Sequence, residues 1–265
     1  MPASLVADDG HIHITEYEAG TGKSALDLIA DMDSAGVRRA AVVTPGTLGW
    51  DNTITFDAVA EHPSRFVAIA RVDLRADDGV DALREVIRRG AVGIRITTFG
   101  EADLAWLLGP RMREVASLLS ADGIVAELHC EPEQLAAVGD FAAANPGVPV
   151  LIDHLGRPVV GEAGGAGERA FLALADLPNV FAKSPDLGYF SHVGFPYGDI
   201  APFIHAALDR FGADRIMWGS DWPLTQEEGE YRLALDAIVA ALESRTDAER
   251  EAVLSGTFSR LFGAA

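Results

Sequence analysis

The sequence has little cysteine and no long apolar run. Cys130 is the only cysteine in 265 residues, so no disulfide can form within the chain and a reducing compartment fits. No apolar stretch approaches the roughly 20 residues that span a bilayer. The first residues, MPASLVADDG, lack the basic and apolar regions of a secretory signal. These absences predict a cytoplasmic protein.

Positive charge is also scarce. Lysine occurs only at positions 23 and 183, and the formal net charge is −19. Such a field repels phosphate backbones and anionic lipid, so neither nucleic acid nor a membrane surface is expected as a partner. A small anionic substrate remains compatible with the charge, because a local arginine cluster can outweigh the mean field.

Two further absences concern domain organisation. No GxGxxG motif opens the chain's first strand-to-helix turn, which disfavours a dinucleotide-binding fold, and no organic cofactor is expected. No Ser-, Gly- or Pro-rich linker divides the sequence, and the Gly-rich stretch 161–167 is interpreted as a loop after a sixth strand. Residues 1–265 are therefore predicted to form a single domain.

Eight short runs rich in Val and Ile alternate with stretches of helical periodicity. The predicted strands are about 5–14, 40–44, 66–72, 91–97, 124–129, 149–154, 179–183 and 215–219. The predicted helices are 25–36, 51–62, 79–90, 102–122, 132–144, 167–177, 200–212 and 230–262, the last long enough for two. Apolar strands that alternate with helices indicate a parallel sheet covered by helices. Eight such units predict an α/β fold, a closed (β/α)8 TIM barrel.

Two histidines end the first predicted strand, at the barrel end where catalytic groups lie. In the motif DGHIH, His11 and His13 point to one face because side chains alternate along a strand. Two imidazoles at this spacing can hold one divalent ion or one polar substrate group. A pair of hydrogen-bonded core histidines is the alternative.

Two more candidates end other strands. His154 ends the sixth strand in DHLGRP, where it can accept a proton, bind a metal or polarise a carbonyl. Asp221 follows the eighth strand in GSDWP, where it can take a proton from an attacking water. We predict that His11, His13, His154 and Asp221 are catalytic, and that these four would be the ligands if a metal is bound.

Further residues are predicted to contact the substrate. An arginine at position 157, above the barrel, suits a carboxylate. Lys183 ends the seventh strand, with Asp186 close by in sequence as a partner for its charge. The full set of predicted substrate contacts is Arg95, His129, Arg157, Lys183, Tyr189, His192 and Trp222; Trp222 would form an apolar wall, and Tyr189 and His192 lie in a loop that would close over the pocket.

The motifs DGHIH, HLGRP, NVFAKS and ALDRFGADRIMWGSDWP together resemble the amidohydrolase-related barrel family. The resemblance is closest to its branch of sugar lactonases and 2-pyrone-4,6-dicarboxylate lactonase. It implies a (β/α)8 barrel that hydrolyses an ester or amide bond. It also implies that Asp221 is the general base, that Arg157 binds a substrate carboxylate, and that His129 is the strand-five histidine.

The chain departs from the family pattern at two places. Binuclear members carry a bridging Lys or Glu on strand four, where this chain has Arg95. A cation there argues against two metals and leaves one divalent ion (Zn or Mn) or none. The sequence KSPD, which begins at Lys183, replaces the Ser-Gly pair usual in the branch, so the substrate remains open.

The leading functional prediction is a lactonase-like hydrolase in which Asp221 activates a water molecule. The alternative is a metal-dependent decarboxylase that acts on a small aromatic carboxylic acid. A third interpretation is an idle barrel that only binds a ligand. The predicted partner is a small molecule, a lactone or a carboxylate, and the sequence leaves open whether the chain forms a homo-oligomer.

Overall fold

A closed ring of parallel strands forms the centre of the molecule. The computed structural model describes residues 6–161, 164–184, 187–223 and 230–263. Each strand pairs with the next in chain order. The strands are β1 (Ala7–Ile12), β2 (Val37–Val43), β3 (Phe66–Ala70), β4 (Ala91–Thr97), β5 (Val125–His129), β6 (Val150–Ile152), β7 (Val180–Lys183) and β8 (Ile216–Met217). The predicted (β/α)8 barrel is confirmed.

Helices connect the strands, and the first of them begins and ends at typical capping residues. Ser24 caps α1, because its side chain accepts a hydrogen bond from the backbone N–H of Asp27, and Gly36 ends the helix in a left-handed conformation. The helices are α1 (Ala25–Ala35), α2 (Thr53–Glu61), α3 (Gly79–Arg88), α4 (Pro110–Asp122), α5 (Leu135–Ala144), α6 (Ala166–Ala173), α7 (Leu187–Phe190), α8 (Ala201–Phe211), α9 (Glu230–Ala241), α10 (Asp247–Glu251) and α11 (Thr257–Phe262). No helix in the described part of the chain is long and apolar enough to cross a membrane.

Two glycines let β8 close against β1. The backbone N–H of Gly10 donates to the carbonyl of Trp218 at 2.9 Å. A Cβ atom on Gly10 would lie 2.6 Å from Met217 Sδ, and one on Gly219 would lie 2.9 Å from His11 Cβ. Because only glycine fits these two positions, the chain after β8 can run directly beside β1.

The barrel interior changes from apolar to polar along its axis. An apolar cluster fills one part with side chains from five strands and from α11: Ala41, Val43, Ile69, Val125, Leu151, Met217, Phe258 and Phe262. A larger apolar cluster lies between the strands and the surrounding helices. Towards the carboxyl ends of the strands, the next inward positions carry His11, Arg95, Glu127, Asp153 and Lys183, all buried. The polar groups therefore gather at the barrel mouth, as predicted.

Several predicted boundaries were wrong. Strands one, six and eight are shorter than predicted, since β1 ends at Ile12 and β6 at Ile152. The predicted helix 102–122 is interrupted before Pro110, whose ring starts α4 at its first turn. The predicted loop after β7 contains the short helix α7. Residues 162 and 163 of the Gly-rich stretch, and Asp186, lie outside the described residues.

Candidate active site

Backbone hydrogen bonds across the β1–β8 seam position Asp221. Its N–H donates to the carbonyl of His11 at 2.9 Å, and the N–H of His13 donates to the carbonyl of Trp222 at 2.7 Å. The backbone of Asp221 has a φ of 59°, in the left-handed region that Asp tolerates better than most residues. The chain after β8 thus turns the Asp221 carboxylate towards the two histidines of β1.

The Asp9 carboxylate also joins the two sides of the β1–β8 seam by hydrogen bonds. Its Oδ1 accepts hydrogen bonds from the N–H of His11 at 3.0 Å and of Ser220 at 2.9 Å. Its Oδ2 accepts one from the Tyr231 hydroxyl at 3.1 Å. The first residue of DGHIH therefore has a positioning role that the sequence interpretation did not assign.

Three acceptor atoms converge on one point at the mouth. His11 Nε2 lies 3.1 Å from His13 Nε2. Asp221 Oδ1 lies 3.4 Å from His11 Nε2 and 3.5 Å from His13 Nε2. Tetrahedral ligands about 2.0–2.1 Å from a zinc ion are about 3.3 Å apart. The buried Asp221 Oδ1 has no hydrogen-bond donor among the described residues, so the spacing and the donor set both fit a divalent ion.

The groups that lie behind the two imidazoles favour the same arrangement. His13 Nδ1 lies 2.7 Å from the carbonyl of Val43, so Nδ1 carries the proton and Nε2 is left as an acceptor. His11 Nδ1 faces Asp153 Oδ1 at 3.5 Å and Glu127 Oε1 at 3.6 Å. Groups behind the ligands that fix the tautomer in this way are typical of metal-binding histidines.

A left-handed turn brings His154 to the same place. His154, Leu155 and Arg157 have φ values of 51°, 50° and 60°, with Gly156 between them at 69°. The His154 ring centroid lies 5.0 Å from that of His11. Ligand-type atoms of His11, His154 and Asp221 lie within 4.8 Å of one another. All four residues predicted to be catalytic therefore lie together.

A buried ion network supports His11 from below. Lys183 Nζ lies 2.9 Å from Glu127 Oε2 and 2.9 Å from Asp153 Oδ1. Arg95 Nε donates to Asp153 Oδ2 at 2.8 Å. Sequence reasoning did not assign a role to Glu127 or Asp153, although Glu127 lies two residues before His129 and Asp153 directly precedes His154. These two carboxylates are partners of Lys183.

Burial sets the protonation states of the site. It lowers the pKa of His154 to about 4 and that of His129 to about 3. Burial and the nearby Asp153 raise the pKa of Glu127 to about 8. Burial alone would raise the pKa of Asp221, but the close approach of His13, His11 and His154 outweighs burial and holds the pKa below its ordinary value. At neutral pH the site thus presents neutral His11, His129 and His154 beside an ionised Asp221.

Aromatic rings surround Arg157 at the rim. Its Cζ lies 5.0 Å from the ring centroid of Phe99, 5.6 Å from that of Tyr189 and 5.7 Å from that of Phe190. His129 stacks on Phe99 with the ring centroids 5.3 Å apart. Phe99 and Phe190 were missed because single aromatic residues in loops carry no sequence signal of their own.

The remaining predicted contacts are spread more widely. Tyr189 is 57% exposed at the rim. His192 lies on an exposed loop, where its backbone N–H donates to Asp199 Oδ2 at 2.7 Å. Trp222 is buried, and its indole N–H donates to Asp31 of α1 at 2.9 Å. Trp222 packs in the apolar layer between the strands and the helices, because the left-handed turn at Asp221 directs the two side chains to different sides. This position contradicts the predicted wall of the pocket.

The fold and the mouth define the class of protein: a TIM-barrel enzyme with histidine and aspartate donors gathered at the carboxyl ends of its strands. The chain belongs to the amidohydrolase family, whose family model matches residues 11–264. The resemblance inferred from the motifs is thereby confirmed.

Characterised relatives share most of the chain. A 4-sulfomuconolactone hydrolase from Rhizobium radiobacter is 32% identical over 246 residues, which cover 89% of this chain and 79% of that protein. An L-fucono-1,5-lactonase from Burkholderia ambifaria is 28% identical over 212 residues, covering 77% of this chain and 71% of that protein. A 2-pyrone-4,6-dicarboxylate hydrolase from Comamonas testosteroni is 27% identical over 84% of this chain and 78% of that protein.

Solved structures share the fold. An amidohydrolase from Burkholderia multivorans with bound zinc has a TM-score of 0.82 at 24% identity, covering 98% of this chain and 100% of its own. A 2,6-dihydroxybenzoate decarboxylase has a TM-score of 0.68 at 18% identity, covering 98% of this chain and 99% of its own. At these identities the likeness concerns the fold alone.

Proposed function

We propose that this chain hydrolyses a lactone, with Asp221 as the general base. The observation that carries the proposal is the ionised Asp221 carboxylate, 3.4 Å from His11 and 3.5 Å from His13 at the barrel mouth. Three relatives named as hydrolases of lactones or of a pyrone, a cyclic ester, support the choice of bond.

The reaction needs one water molecule and no other co-reactant. Asp221 accepts a proton from the water while the water oxygen attacks the lactone carbonyl carbon. The resulting tetrahedral oxyanion is stabilised by the site's donors. When the ring C–O bond breaks, the leaving oxygen takes the proton back from Asp221. The product is a hydroxy acid, and Asp221 is again ionised.

His154 and Arg157 have distinct proposed roles. His154 is neutral at pH 7 and lies close enough to His11 and Asp221 to contact the reacting carbonyl. Arg157 keeps its guanidinium at the rim among three aromatic rings, where it can hold a substrate carboxylate. Tyr189, Arg95, His129 and His192 remain candidate substrate contacts.

The site is suited to one divalent ion, and we favour zinc. His11 Nε2, His13 Nε2 and Asp221 Oδ1 would hold it, and a bound ion would supply Lewis-acid polarisation of the carbonyl. A second ion is disfavoured, because Lys183 and Arg95 already supply positive charge to Glu127 and Asp153. The zinc-bound structure of similar fold supports the choice of metal.

A lactone panel with a pH indicator tests the proposal. Acid release from at least one sugar lactone or pyrone, with about one zinc per chain by elemental analysis and loss of activity on chelation, is expected. Release of carbon dioxide from a benzoate-type acid, without lactone opening, would favour the decarboxylase. No turnover across lactones, esters and acids by the zinc-loaded protein would overturn the proposal.

A further inference from the structure

Arg71 lies at the mouth and has no role in the chemistry above. It directly follows β3, where Val67 and Ile69 pack with the apolar interior of the barrel. Side chains alternate along a strand, so Arg71 continues this inward series. The pairs Ile69–Gly93 and Ala70–Ile94 align β3 with β4, and extending this register places Arg71 beside Arg95. Two arginines therefore occupy adjacent inward positions.

Only one of these two arginines has a carboxylate partner. Arg95 lies 2.8 Å from Asp153. Arg71 is only 9% exposed, yet no carboxylate among the described residues lies within ion-pair distance of it. Its Nη1 donates to the carbonyls of Gly49 at 3.1 Å and Pro45 at 3.4 Å. Its Nε is buried without an acceptor in the described part of the chain.

Burying a cation without a counter-charge costs free energy, and this effect is seen at Arg71. Burial and the neighbouring charge of Arg95 lower the pKa of Arg71. The guanidinium also stacks on Trp50, with its Cζ 4.8 Å from the ring centroid, an arrangement that holds it in place. A buried, oriented guanidinium without a carboxylate partner is suited to a charge-assisted hydrogen bond to an anion.

The anion is expected on the mouth side. A cavity of about 450 Å³ touches Arg71 on the side of α2 and α3, but its lining includes Asp51, Asp73, Asp78 and Glu85. These carboxylates disfavour an anion there. The inward register of Arg71 instead directs it to the same barrel mouth as Asp221 and His11.

We infer that Arg71 determines specificity by binding an anionic group, a carboxylate or a sulfonate, of the substrate. This inference rests on the proposed lactonase function and narrows it to lactones that carry acidic groups. Arg157, three strands away on the loop after β6, would hold a second acidic group. Neutral sugar lactones would then be poor substrates. An anionic lactone can bind despite the net charge of −19, because the local positive charge at the mouth outweighs the field of the distant charges.

Matched substrates test the inference. Muconolactone, which carries a carboxylate, is compared with its carboxamide in wild type, Arg71→Gln and Arg71→Lys. We expect Arg71→Gln to lower kcat/KM for the carboxylate by about 10- to 100-fold, mainly through KM, and to change the carboxamide by less than about threefold. Arg71→Lys should retain part of the preference. Arg89→Gln, at an exposed arginine that lines the outer cavity, is the control and should change neither.

Trp50 provides a readout that does not need turnover. Malonate should shift the Trp50 emission of the zinc-loaded wild type, but not that of Arg71→Gln, with Trp50→Phe used to identify the signal. The inference would be overturned if Arg71→Gln lowered kcat/KM equally for both substrates, or if malonate shifted the Trp50 emission of Arg71→Gln as it does in wild type. Either result would leave the lactonase proposal standing. Absence of lactone hydrolysis in wild type, with an Arg71-dependent malonate response, would overturn the lactonase proposal instead.

Discussion

Replacing Lys183 with Met should destabilise the fold strongly. Lys183 is fully buried, and its ammonium lies 2.9 Å from both Glu127 and Asp153. Methionine fills a similar volume but leaves two carboxylates in the barrel with only Arg95 as a counter-charge. Arg95 lies 2.8 Å from Asp153 but 3.7 Å from Glu127. Glu127 is therefore the group that loses its partner.

The size of the effect follows from burial. Each 2.9 Å contact is worth about 6 kcal/mol of Coulomb energy at an effective dielectric constant of about 20, but burial of the ammonium costs several kcal/mol. Removing one partner of a buried ion pair usually costs about 3–5 kcal/mol. For a chain of this size, that corresponds to a fall in Tm of about 6–20 °C.

Urea unfolding at pH 9, above the pKa of about 8 that Glu127 has in the fold, measures the loss with Glu127 ionised, and a second substitution tests its cause. Glu127→Gln in the Lys183→Met background removes the unpaired charge and should recover about 1–3 kcal/mol. Arg210→Met, which breaks the exposed Arg210–Asp176 pair at 3.1 Å, is the control and should cost less than about 1 kcal/mol. A Lys183→Met protein as stable as wild type, or no recovery in the double variant, would refute the assignment of this network.

Three further results are expected. The pKa of His154 is about 4 in the fold against an ordinary 6.5, so the unfolded chain binds more protons than the folded chain between these two pH values. The free energy of unfolding should therefore fall by about 3 kcal/mol as the pH drops from 6.5 through 4. The urea midpoint of His154→Gln should vary less with pH over this window. Gly156→Ala should lower the free energy of unfolding in urea by about 1–3 kcal/mol, because the φ of Gly156 is 69° and the new Cβ would lie 3.1 Å from Leu135 and Phe171. Gly161→Ala is the control, with φ 93° and nothing within 4 Å of the new Cβ, and it should lower the free energy of unfolding by less. His13→Gln should lose bound zinc by elemental analysis, whereas the exposed His192→Gln should keep it; equal zinc content in both would contradict the proposed ligand set.

The sequence predicted the fold and the centre of the site for a physical reason. Alternating apolar strands and helices specify a barrel, and its strand ends meet at one mouth. His11, His13, His154 and Asp221 were recognisable because each is a polar residue at or just beyond the carboxyl end of a predicted strand. The same reasoning could have found Glu127, which alternation places on the inward face with His129.

Other features could not be predicted from the strand pattern. The pairing of Lys183 with Glu127 and Asp153 depends on how three separate strands face each other across the barrel. The side on which Trp222 lies depends on the left-handed turn at Asp221, whose φ is 59°. Arg71 gave no signal, because its lack of a carboxylate partner appears only when all its neighbours are placed.

The account depends most on Asp221, and Asp221→Asn tests it directly. Asparagine keeps the shape and tolerates the left-handed backbone, so the variant should fold with wild-type stability. Its kcat on the best lactone, measured with zinc content matched to wild type, should fall by about 10²- to 10⁴-fold, as for the loss of a general base. Asp214→Asn, at an exposed ion pair with Arg260, should keep full activity. Undiminished turnover by Asp221→Asn would contradict the central claim.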